Sequence, residues 1–107
     1  MTTFDKREEA FEKKFVIDEE LKFKAAARRN KQLGLWAAEK LGLAGADADA
    51  YAKQVVVAEF EEGADEAVIA KVTRDLAAKG IDLGVDEIRA HMDQLMAQAV
   101  AQVKAGL

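Results

Sequence analysis

Cysteine and proline are both absent from the 107 residues of this chain, and tryptophan, tyrosine and histidine occur once each. Without cysteine there is no disulfide framework and no thiolate zinc site; a reducing, cytoplasmic setting fits. Without proline, the breaks between elements fall to glycine and to capping residues. Aromatic residues make up only 7% while alanine abounds, which favours close-packed helices over a β-sandwich. No apolar run nears the ~20 residues that cross a bilayer. The opening "MTTFDKREEAF" lacks the apolar stretch of a signal peptide. A soluble protein that is not exported is the expectation.

What is present suits one domain, since half the residues are hydrophobic and a chain of this size buries roughly two-thirds of its unfolded surface. The net charge is −4, too acidic for a general nucleic-acid binder. The charge is uneven: residues 1–32 carry a net +2 and residues 33–107 a net −6.

Four segments show helical periodicity. The first runs from about Asp18, a candidate N-cap followed by Glu19 and Glu20, to Leu41, with Gly42 as stop. Gly34 inside it costs about 1 kcal/mol against alanine, and a close helix–helix contact would explain it. The second covers about Ala48–Glu62 behind Asp47, and includes the β-like run Val55–Val57. The third covers about Glu66–Lys79 behind Asp65. The fourth covers about Asp86–Lys104, with Ile88, Met92, Leu95, Met96, Ala99 and Val103 in one stripe. The links are short, which makes neighbouring helices antiparallel. The reading is all-α: an antiparallel four-helix bundle over 18–107, preceded by a flexible, partly helical arm over 1–17.

The arm is unusual. Phe4, Phe11 and Phe15 fall within about 40° of one another on a helical wheel, among eight charged residues. Asp5–Glu9 and Glu8–Glu12 are repulsive i,i+4 pairs, and so short a helix is marginal alone. Three uses fit: a helix ordered on a partner, a fifth element folded back on the bundle, or a membrane-surface helix. The mixed charges speak against the last.

Elsewhere, candidate chemistry is thin. His91 with Glu87 lacks the ligand set of a bundle metal site and reads as a surface histidine near a carboxylate. The run "EFEEGADE" does not have the spacing of a calcium loop and reads as a solvated corner plus an N-cap. Lys24, Arg28, Arg29 and Lys31 form a basic patch, either a solvated face or a binder of phosphate or an acidic surface. No glycine-rich phosphate loop is present. Any nucleotide would be held by Arg28, Arg29 and Asn30, with Trp36 as a stacking face; Trp36 also reads as the core anchor of the first helix. Nothing pairs a nucleophile with a base, so an enzyme is not expected.

The run "FDKREEAFEKKFVIDEELKFKAAARRNKQLGLWAAEKLGL" (Phe4 to Leu43) strongly resembles the ζ subunit of alphaproteobacterial F-type ATP synthases, a family of small ATPase inhibitors. "AYAKQVVVAEFEEGADEAVIAKV" (Ala50 to Val72) is similar too. The "ARRNK-LG-WAAEKLG" pattern over Ala27 to Gly42 is the most specific part. The resemblance implies a bundle with an inhibitory arm that enters a catalytic interface near the rotor and stops ATP hydrolysis. It implies the catalytic head and rotor subunits as partners, ADP or ATP as a regulatory ligand without hydrolysis, and no other cofactor or metal. It also implies a cytoplasmic location, with the membrane reached only through the synthase. On the residues, the contacts would fall to Phe4, Phe11 and Phe15 as anchors, with Asp5, Arg7, Glu8, Glu12 and Lys14 setting register. The competing class is a non-inhibitory helical module, a nucleotide- or RNA-binding adaptor using Lys24–Lys31.

Overall fold

A computed structural model describes the backbone of residues 2–107 and the side chains from Glu19 onward. It contains four helices: α1 (Thr2–Lys40), α2 (Gly45–Ala58), α3 (Asp65–Ala78) and α4 (Val85–Lys104). Among the described residues there is no strand. The Val55–Val57 run is helical, with Val55 buried and Val57 exposed. The helices follow one another around a four-helix bundle. α1 packs closely on α2 and α4 and reaches diagonally to α3, whereas α2 and α4 do not approach each other among the described residues.

The helix ends show which local signals act. Gly42, at φ +79°, lets the chain reverse after α1. There the Leu43 amide donates to the Ala38 carbonyl and the Gly42 amide to that of Glu39, the paired bonds of a Schellman motif. Gly80 ends α3 in the same way, with Ile81 donating to Leu76 and Gly80 to Ala77. The N-termini differ from expectation. Asp47 and Asp65 lie inside the first turns of α2 and α3, and the caps are Ala44 and Ala64, without a side-chain capping bond. Their charges still suit the helix dipole. The carboxylate of Asp65 is drawn away by Arg29, at 2.7 Å. α1 is one element from Thr2, so the start expected at Asp18 falls inside it. α2 ends at Ala58, four residues short of the expected Glu62, because the chain turns through Phe60 and Gly63.

The core combines Leu33, Ala37 and Ala38 of α1, Tyr51, Val55 and Ala58 of α2, Val68, Ile69, Val72 and Leu76 of α3, and Ile88 and Met92 of α4. Trp36, Leu41, Leu43, Ile81, Leu83 and Leu95 close its edges, each only partly buried. Tyr51 keeps its ring buried and donates its hydroxyl to Asp75 at 2.9 Å, where Lys71 also donates at 3.0 Å. Burial first, then that hydrogen bond to an anionic acceptor, pushes the Tyr51 hydroxyl well above its usual range.

At Gly34 two backbones meet. A Cβ there would lie 2.6 Å from Ala52 Cα and 3.1 Å from Ala52 Cβ. Neither atom belongs to a flexible side chain, so α1 and α2 would have to separate. Gly34→Ala is therefore expected to destabilise the protein by about 1–2 kcal/mol, overpacking outweighing the gain of about 1 kcal/mol in helix propensity. Thermal denaturation followed by circular dichroism checks this; an unchanged or higher midpoint would contradict it.

Candidate functional site

The side chains of Phe4, Asp5, Arg7, Glu8, Phe11, Glu12, Lys14 and Phe15 lie outside the described residues. The other candidates sit on α1 between Arg28 and Trp36, and they point in three directions.

Arg28 faces the end of α4, where its guanidinium donates to the carbonyl oxygen of Leu107. Arg29 and Asn30 turn inward and are 6% and 1% exposed. Arg29 Nη2 lies 2.7 Å from Asp65 Oδ1 and 3.5 Å from Glu59 Oε1. Its Nε donates to Asn30 Oδ1 at 3.1 Å, and Asn30 Nδ2 donates to Glu59 Oε2 at 3.1 Å. A guanidinium, an amide and two carboxyls thus tie α1 to the α2–α3 corner. A buried charge requires such partners, because desolvation penalises any charge left alone.

The two carboxyls divide their roles. Burial, then the hydrogen bond to Asp65 and its charge, push Glu59 above the ordinary carboxyl range, against Asn30 and Arg29. Burial also works to raise Asp65, but the hydrogen bond from Glu59 and the guanidinium of Arg29 outweigh it and hold Asp65 below its ordinary value. Asp65 is the anion of the pair and Glu59 the group that more readily keeps a proton.

The acidic run read as solvated is therefore split. Glu61 and Glu62 are exposed, while Glu59 and Asp65 are engaged. Their link to Arg29 had a signal. Ala25, Arg29, Leu33, Ala37 and Leu41 are spaced by four, so Arg29 lies on the core stripe of α1 rather than in a basic patch. Asn30, Gly34 and Ala38 form the adjacent row.

Trp36 faces α4. Its ring stacks on His91 with centroids 4.1 Å apart and 27° between planes, and Lys40 Nζ lies 5.0 Å from the indole centroid. Trp36 edges the core, while Leu33 is the fully buried anchor. His91 is correspondingly half-buried at the α1–α4 contact, not a free surface histidine. Burial, and then the charge of Lys40, lower its pKa from 6.5.

Arg28, the pair Arg29–Asn30 and Trp36 thus address the end of α4, the α2–α3 corner and the middle of α4, and do not converge on one cavity. Among the described residues no cluster of three or more His, Asp or Glu suits a metal ion, and no helix is long and apolar enough to cross a membrane. Shallow grooves flank α2 instead. One, of about 480 Å³, lies between α2 and α3. The other, against α1, is lined by Lys31, Asp49 and Lys53.

These features define a small all-helical bundle built around one long helix, α1, that packs on the other three. The chain belongs to the family of ATPase inhibitor subunit zeta, whose family model matches residues 1–102. It is also similar to a protein whose solution NMR structure is known, at 49% sequence identity, over 81% of this chain and 99% of that one, with a TM-score of 0.69. No curated protein matches it.

The stack makes a pH prediction. A folded-state pKa below 6.5 means that the unfolded chain takes up the proton first as pH falls. The stability contributed by neutral His91 is thus fully present above 6.5 and is lost as pH falls from there towards the folded-state value. An NMR titration of the imidazole should give a midpoint below 6.5, and a midpoint above it would contradict the assignment.

Proposed function

We propose that this protein restrains ATP hydrolysis by an F-type ATP synthase, using residues 1–17 as the inhibitory element and the bundle as its anchor. Family membership carries this reading. The position of the core supports it: the described core contribution of α1 begins at Ala25, so the stripe of Phe4, Phe11 and Phe15 precedes it in the chain. In this reading the arm inserts as a helix at a catalytic interface next to the rotor. The three phenylalanines fill apolar pockets, and Asp5, Arg7, Glu8, Glu12 and Lys14 fix orientation. Ordering the arm on binding subtracts from affinity, and a docked bundle offsets this by raising the arm's effective concentration. A steric block of this kind requires no catalytic residue in the inhibitor itself. The protein acts on the cytoplasmic side and meets the membrane only through the synthase.

Hydrolysis by the cognate catalytic complex should fall with the full-length protein. It should recover when residues 1–15 are removed or when Phe11→Ala and Phe15→Ala are combined. Undiminished inhibition by the truncated protein would overturn the role of the arm.

ADP or ATP is the regulatory ligand in this reading. Arg28 and Trp36 retain accessible surface, whereas Arg29 and Asn30 would have to leave Asp65 and Glu59 to touch a nucleotide. Titration with ADP should therefore move amide resonances within residues 24–36 most strongly around Arg28 and Trp36. Shifts confined to other segments would relocate the site.

A further inference from the structure

The most exposed large apolar side chains among the described residues stand around one stretch of α1: Phe23 is 68%, Phe60 75% and Leu107 76% exposed. Phe23 lies two residues before Ala25, where the described core of α1 begins, and seven before Asn30. Seven residues make about two helical turns, so Phe23 and Asn30 share one side of α1. Asn30 donates to Glu59, the residue before Phe60, at 3.1 Å. On another side of α1, Arg28 donates to the carbonyl of Leu107. The α2–α3 corner and the end of α4 thus bring Phe60 and Leu107 up to α1 just where it leaves the core. The three side chains form an apolar collar there.

Helical register indicates what covers this collar. Phe11 and Phe15 precede Arg29 and Leu33 by eighteen positions each, and eighteen residues are about five turns of an α-helix. The phenylalanine stripe therefore shares the register of the core face of α1. When residues 1–17 dock as a helix, the surface that receives the stripe lies on the side of α1 where the rest of the bundle lies. Its edge then meets the end of the bundle, and the exposed rings of Phe23 and Phe60 stand at that junction.

We infer, on the basis of the inhibitory reading, that Phe23 and Phe60 form a second contact of the inhibitory interface, whose occupant is the edge of the same partner surface that takes up the arm. The bundle is then a shoulder seated against the partner as well as a tether. The partner must offer an apolar ledge, and exposed aromatic side chains are the residues that interfaces favour as contacts. Exposed Glu61 and Glu62 beside Phe60 call for basic groups on that side of the ledge. Exposed Lys22 and Lys24 beside Phe23 call for acidic groups on the other.

Inhibition titrations of the cognate catalytic complex with the full-length protein test this. Phe23→Ala and Phe60→Ala should each raise the concentration for half-maximal inhibition about tenfold, as loss of an interface anchor does. Val85→Ala, at an exposed apolar position outside the collar, should leave it unchanged. Inhibition at saturation should persist in all three variants, because the arm is intact. Both phenylalanines are exposed, so circular dichroism should show the variants folded. Removing residues 1–15 separates the collar from the arm. If truncation abolishes inhibition while the collar variants inhibit at an unchanged concentration, the collar is no contact and the inhibitory role of the arm stands. If the truncated chain still inhibits fully, the inhibitory reading falls and the collar contact falls with it. Sedimentation equilibrium of the free protein should show a monomer. A dimer that Phe60→Ala dissociates would assign the collar to a second copy and overturn the inference.

Discussion

The close approach of α1 and α2 at Gly34 and Ala52 is the constraint on which the bundle rests. It brings the α1 backbone into van der Waals contact with α2 and leaves no room for a side chain between them. Small residues continue the same logic along α1. Ala25, Ala37 and Ala38 are all fully buried, so the helix sits deep enough to touch α3 across the bundle as well as its two neighbours. α2 and α4, without such a row against each other, stay apart. α1 is thus the spine, and the other helices are arranged by how near they can come to it.

The polar corner adds register to this depth. Hydrophobic burial is non-directional, and a row of alanines alone tolerates some sliding. Arg29 and Asn30 do not. Moving α1 by one turn against α2 would leave a buried guanidinium without Asp65 and a buried amide without Glu59. The free energy lost would be that of uncompensated buried polar groups, which exceeds the modest gain such a network gives when satisfied. The N-cap lost by α3 belongs to the same arrangement. Asp65 serves Arg29 rather than a backbone amide, and Ala64 takes the cap position at φ +41°.

Much of the fold was legible in residue order. Each of the four helices overlaps a periodic segment, and Gly42 and Gly80 marked two reversals through a geometry that only local chemistry sets. Gly34 signalled the close contact by its cost. What escaped reading depended on tertiary partners. Asp47 and Asp65 looked like caps because local sequence cannot show that a distant arginine competes for one of them. Arg29 and Asn30 looked like surface because their charge and polarity outweighed their spacing, although that spacing places Arg29 on the stripe of Leu33 and Ala37 and Asn30 on the adjacent row of Gly34 and Ala38. His91 looked solvent-exposed because its covering ring, Trp36, comes from a helix fifty-five positions earlier in the chain. The phenylalanine spacing over residues 4–15 is legible in the sequence, and the role proposed for it rests on family membership rather than on any described side-chain contact.

The Trp36–His91 stack has a practical corollary. The protein has a single indole, and it lies at the seam between α1 and α4. Its emission is therefore a built-in gauge of that seam. Events that part α4 from α1, or that change the cation above the ring, will alter the fluorescence. Rearrangements of α2 and α3 that leave the core beside Trp36 in place will change it less. An observer can thus distinguish motions of the two halves of the bundle without attaching any label.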